Sequence, residues 1–144
     1  MKRLITTLFV LLAMTFVAKA QNTYDCEIAL LENDEKMALF SVTLDVDKKA
    51  SVEKCACEAL LTTLVTQGVS GIKNGQPVSS KELKYWRNEN NLFKQENNYL
   101  KYTTYQLEYE PIATTSGKLH GSVYVKLNLE TFLRYLEKYG VLAK

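Results

Sequence analysis

Hydrophobic and polar side chains alternate over residues 40–46, with Phe40, Val42, Leu44 and Val46 on one side and Ser41, Thr43 and Asp45 on the other. A period of two marks a half-buried strand. Upstream, Cys26, Ile28 and Leu30 alternate with Glu27 and Ala29. Residues 24–46 therefore read as strand, turn, strand around the polar turn Asn33-Asp34-Glu35-Lys36, although Ile28, Leu31 and Glu32 also suit a helical spacing. From Asp47, a candidate cap, the period changes. Residues 48–67 hold no Gly or Pro, and Ala56, Leu60 and Leu64 form one stripe beside Cys57, Leu61 and Val65. So wide an apolar arc predicts a well-buried helix, ended by Gly68.

Gly68, Gly71, Gly75 and Pro77 make 68–78 a loop by composition. Ser79-Ser80-Lys81-Glu82 offers a capping box for a second helix from about Ser80 to Asn88 or on to Gln95, with Phe93 a later match to its Leu83/Trp86 face. Asparagines at 88, 90, 91, 97 and 98 weaken that helix and predict a broken helix or a loosely packed arm. Residues 99–110 are the longest strand candidate. Tyr105, Leu107 and Tyr109 share one face, Tyr102, Thr104, Gln106 and Glu108 the other, and Pro111 closes it. After the turn Thr114-Thr115-Ser116-Gly117, alternation resumes through Leu119, Val123, Val125 and Leu127. Asn128 then caps a helix with Leu129, Phe132, Leu133 and Leu136 at i, i+3, i+4 and i+7, stopped by Gly140 with Val141 folding back. The order β-β-α-α-β-β-α predicts an α+β two-layer sandwich, an antiparallel sheet of about four strands with helices on one face.

The first twenty residues have a different character. Lys2 and Arg3 precede fourteen uncharged residues, Leu4 to Val17, and Ala18-Lys19-Ala20 places small residues before Gln21. This is the pattern of a secretory signal peptide, and the apolar run is short for a membrane span, which needs about 20 residues. The expected organisation is a signal peptide over 1–20 and a single α+β domain over 21–144, exported to the periplasm or the outer surface, with no membrane span after cleavage. Taking Lys2, Arg3 and Lys19 from the 18 basic residues leaves 15 against 16 acidic ones, a net charge of −1. No electrostatic footprint for nucleic acid remains.

The chemistry-bearing residues are few. His120 is the one histidine, and Cys55 and Cys57, two apart on a helix, point about 200° from each other and do not grip one ion. No metal or cofactor is expected. Cys26 is paired with Cys55 as the expected disulfide, because Cys57 lies on the more apolar stripe. Cys55 or Cys57 with His120 as base is the sole nucleophile–base set, the basis of an alternative in which the chain is a small secreted enzyme or enzyme inhibitor. Nine tyrosines are conspicuous, and Tyr99, Tyr102, Tyr105, Tyr109 and Tyr124 form a candidate interaction surface.

The segment Ala59-Leu60-Leu61-Thr62-Thr63-Leu64-Val65-Thr66-Gln67-Gly68-Val69-Ser70-Gly71 and the closing strand and helix from Val123 to Val141 resemble those of small exported proteins of unknown function in Bacteroidetes bacteria. The likeness covers roughly residues 50–141, and the layout is similar to the α+β modules of envelope lipoproteins and secretion assemblies. It implies compartment and fold and brings no catalytic residues. The leading expectation is a non-enzymatic cell-envelope protein that binds a protein partner or supports an assembly.

Overall fold

The computed structural model describes residues 26–144; the expected signal peptide and residues 21–25 lie outside them. The chain is an α+β protein whose antiparallel sheet has five strands: β1 (Cys26–Asn33), β2 (Met37–Asp47), β3 (Thr103–Leu107), β4 (Ile112–Ala113) and β5 (Lys118–Asn128). The sheet order is β1-β2-β5-β3, with β4 also on β5. Among the described residues four α-helices accompany it: α1 (Val52–Thr66), α2 (Leu83–Asn88), α3 (Glu96–Leu100) and α4 (Leu129–Lys138). Among the described residues, no helix is long and apolar enough to cross a membrane.

Alternation decides which side of each strand is buried. On β5, Val123, Val125 and Leu127 are fully buried, and a Cβ on Gly121 would stand 2.5 Å from Val52 Cγ1. The odd-numbered β5 residues therefore face α1, and the missing side chain at Gly121 is where the start of α1 approaches the sheet. The partners Cys26, Ile28, Phe40, Val42 and Leu44 lie on this same side by register. They join the inward residues of α1 and α4, with Trp86, in one hydrophobic cluster. Ala56, Cys57, Ala59, Leu60, Leu61, Leu64 and Val65 are all fully buried, so α1 is covered on both sides. Each buried leucine contributes roughly 2 kcal/mol by removal of apolar surface from water. Its threonines satisfy themselves along the helix: Thr63 Oγ1 donates to the Ala59 carbonyl at 2.8 Å.

Several expectations hold. The first segment is a strand and not a helix, because its alternate residues pair with β2 from Cys26↔Leu44 to Asn33↔Ala38, across a bulge between Leu30 and Glu32. Asn128 Oδ1 caps α4 by accepting from Thr131 N, and Val141 N closes its far end on the Leu136 carbonyl. The second helix stops at Asn88 and does not run on to Gln95, as its asparagines suggest, and a turn region leads on to α3.

Other expectations are corrected. Asp47 does not cap α1: β2 stays paired with β5 as far as Asp47↔Lys118, and Ser51 accepts from Lys54 N instead. The capping box at Ser79/Glu82 does not form. Residues 78–80 pair with the C-terminal segment, through Ser80 N to the Val141 carbonyl and Ala143 N to the Val78 carbonyl, which draws Ser79 into a bridge with Leu142. The arm that carries the asparagines is tied down at Asn90. Asn90 is buried, its Oδ1 accepts from Leu92 N at 2.7 Å and Tyr135 Oη at 3.0 Å, and its Nδ2 donates to Tyr85 Oη at 3.3 Å.

The β1–β2 turn has a pH-dependent tie. Asp34 Oδ1 accepts from Met37 N at 2.8 Å and Lys36 N at 2.7 Å, and these bonds, Met37 first, hold its carboxyl below the usual 3.8. A depressed folded pKa stabilises above the unfolded value and loses that contribution as pH falls through the folded one. The wild type is therefore expected to exceed Asp34→Asn in stability above pH 3.8, with the gap closing on further acidification. Urea titrations of both proteins across that range check it.

Candidate functional site

With the α-helices of the described residues on one side, the even-numbered residues of β5 and the odd-numbered residues of β2 form the other face of the sheet, which none of those helices covers. Register places Asp45 opposite His120, Thr43 opposite Ser122 and Ser41 opposite Tyr124. A third contribution comes from the β3–β4 connection. Leu107 pairs with Val123 but Ile112 with His120, so five steps of this chain match three of β5. The surplus at 108–111, ending at Pro111, lets two consecutive side chains, Glu108 and Tyr109, reach the uncovered face.

The face is tightly bonded. His120 Nδ1 lies 2.6 Å from Asp45 Oδ1, each side chain 40% exposed. The Tyr109 ring stacks on His120 with centroids 6.5 Å apart and planes 26° apart. Ser122 Oγ donates to Glu108 Oε2 at 2.6 Å and lies 3.1 Å from Thr43 Oγ1. Ser122 is buried beneath these neighbours. Burial raises the Tyr124 phenol first, and the charge of Glu108 and its hydrogen bond raise it further, so the phenol stays neutral. Asp45 occupies His120 Nδ1, while the Ser122 proton is committed to Glu108 rather than to His120. The cluster holds side chains in fixed positions and sets up no nucleophile–base relay.

The expected tyrosine surface is not one surface. Tyr109 and Tyr124 lie on the uncovered face. Tyr109 leaves the side of Tyr105 and Leu107 because of the surplus residues before Pro111. Tyr105, at the rim of the covered side, is 42% exposed. Tyr99 belongs to α3, is buried, and packs on Phe93 at 6.2 Å. Tyr102 packs edge-on to Phe132 at 5.3 Å, on the helical side. Asp45, Thr43 and Ser122 were missed by sequence reasoning. Their outward positions were visible in the alternation, but the pairing of two strands more than seventy residues apart was not.

Nor does the fold bring the cysteines to His120. Cys26, Cys55 and Cys57 are on the helical side and His120 is on the other, with the sheet between them. Cys57 is fully buried, and burial pushes its thiol up to about 11, with the Thr103 hydroxyl pulling it down and Glu53 adding to the rise. Its contribution to folding is intact below the ordinary thiol value of 9.0 and is lost as pH rises through about 11. At pH 8 Cys57 is expected to resist alkylation in the native protein and to react fully in denaturant, as peptide mass spectrometry will show. Among the described residues, no three His, Cys, Asp or Glu side chains gather into a metal-holding group. Comparison with protein-family models, curated proteins and solved structures finds no match.

Proposed function

We propose that the chain is a non-enzymatic, exported cell-envelope protein that binds a protein partner through the uncovered face of its sheet. The observation that carries this reading is the pre-bonded platform of Tyr109, Tyr124, His120–Asp45 and Glu108–Ser122–Thr43. Tyrosines give rigid amphipathic contact area, and side chains already held by neighbours lose little freedom on binding. Export rests on the charged, apolar and small-residue run of positions 1–20. The structure carries Cys26, Cys55 and Cys57 as thiols, so the expected Cys26–Cys55 disulfide is not formed in it. The alternative of a Cys/His enzyme gains no support, since the sheet separates those groups.

Site-specific photocrosslinking in an exporting bacterial host tests the proposal. A crosslinking residue at Tyr109 or Tyr124 should capture the same envelope protein, while one at Lys84 on α2 should not. Absence of an adduct from the face, or equal capture from Lys84, overturns the partner surface. Recovery of the protein with Met1 intact from the cytosol overturns export.

A further inference from the structure

On the helical side, away from the platform, a groove of about 490 Å³ runs between the arm of residues 91–101 and α4. Its wall is a run of rings: Tyr102 to Tyr135 at 5.5 Å and Tyr135 to Tyr139 at 4.8 Å between centroids. Tyr139 is 56% exposed, so much of its ring is in solvent. Three cations line the same groove, Lys101, Arg134 and Lys138, with the Lys138 Nζ 5.8 Å from the Tyr139 centroid. Among the described lining residues none is acidic. Glu130 reaches Arg134 at 2.8 Å from one helical turn away, an exposed pair that leaves much of the guanidinium available. The remaining lining is mainly neutral and polar, Asn91, Asn98 and Thr131, with Leu92 the one aliphatic side chain.

Each part of this lining selects a feature of the ligand. Cations without a nearby excess of carboxylates select an anion. An exposed tyrosine packs against a flat, partly apolar ring, and amides and hydroxyls pair with ligand hydroxyls. A peptide-docking groove would instead offer apolar anchor pockets or an open strand edge. The volume is that of a small-molecule site. Burial keeps the Tyr102 and Tyr135 phenols neutral. Tyr135 is also fixed by its bond to Asn90, so the wall is rigid.

We propose that this groove binds a short acidic carbohydrate, one or two sugar rings bearing a carboxylate or a phosphate. The site is separate from the sheet platform and stands or falls without it.

Isothermal titration of the protein at low salt tests the proposal, with digalacturonate and mannose 6-phosphate as acidic probes, lactose as the neutral one and a hexaglutamate peptide as the acidic non-sugar. At least one acidic sugar should bind with an affinity about tenfold or more above lactose and hexaglutamate. Lys101→Glu/Lys138→Glu and, separately, Tyr139→Ala should each weaken it about tenfold or more, with circular dichroism unchanged because these side chains are at the surface. Failure of both acidic sugars to bind at roughly millimolar concentration overturns the proposal. So does equal binding of lactose, tighter binding of hexaglutamate, or undiminished binding by the charge-reversed variant.

Discussion

Gly68→Ala is expected to destabilise the protein by roughly 2–5 kcal/mol. Gly68 follows α1 with φ +92°, a conformation that costs a residue with a Cβ about 1–2 kcal/mol. Space adds a second cost. A Cβ there would stand 2.2 Å from the Gly75 carbonyl oxygen and 2.6 Å from the Gln76 carbonyl carbon, both backbone atoms. Relieving such overpacking costs a further 1–3 kcal/mol, roughly. The segment cannot simply swing away, because Val69, Ile72 and Val78 are buried in the core and Val78 N donates to the Leu64 carbonyl at 3.0 Å. Gly140 supplies the control. It too has a positive φ, +69°, but nothing lies within 4 Å of its would-be Cβ. Gly140→Ala should therefore carry only the conformational cost, about 1–2 kcal/mol. Urea denaturation of the two variants separates the effects; equal losses would mean that the 68–78 segment yields and does not press on the end of α1.

That segment shows where local pattern stops informing. Its glycines and proline identify a loop, but not that it folds back on α1 and buries three aliphatic side chains. β2, α1, β5 and α4 were legible because each presents a single periodicity to a single core, and their ends carry local signals such as Asn128 and Gly140. Ser79 and Glu82 formed an equally good local signal, yet backbone pairing with residues 141–143 took the segment first. Pairing across such a separation leaves no mark in either stretch. The 99–110 strand failed for a related reason: alternation continued beyond both ends of the part that pairs with β5. Tyr99 was drawn into a helix, and the residues after Leu107 slipped register.

The candidate platform depended on such long-range placement even more. Glu108, Ser122, Thr43, Asp45 and His120 come from three stretches that no spacing rule connects. What the sequence did offer was their outward phase on each strand, and that phase is correct. The same holds for the groove on the helical side. Tyr135 and Tyr139 lie one turn apart at the end of a helix whose apolar stripe was evident. Asn90, read as a helix weakener, is the buried hub that fixes one of those rings.

The arm that carries this hub leads to the second large expected effect. Trp86, the one tryptophan of the chain, is fully buried, edge-on to Tyr85 at 5.1 Å and Phe93 at 6.1 Å. Trp86→Ala removes this packing and leaves a cavity, an expected loss of about 3–5 kcal/mol. Trp86→Phe should cost much less than its smaller size suggests. Among the described residues the buried indole Nε1 finds no hydrogen-bond acceptor, and a stranded donor costs roughly 1–3 kcal/mol. Phenylalanine keeps an aromatic ring against Tyr85 and Phe93 while removing that donor, so the two changes partly offset. A loss below about 2 kcal/mol for Trp86→Phe is the expected outcome. A loss equal to that of Trp86→Ala would show that the full indole shape is needed and that the unmatched donor costs little. Native-state hydrogen exchange adds a spatial test. In Trp86→Ala the amides of residues 83–100 should open first, because the sheet keeps its own ladder and the cover provided by α1. The acidic-sugar groove, whose wall includes this arm, should then weaken before the platform on the opposite face does.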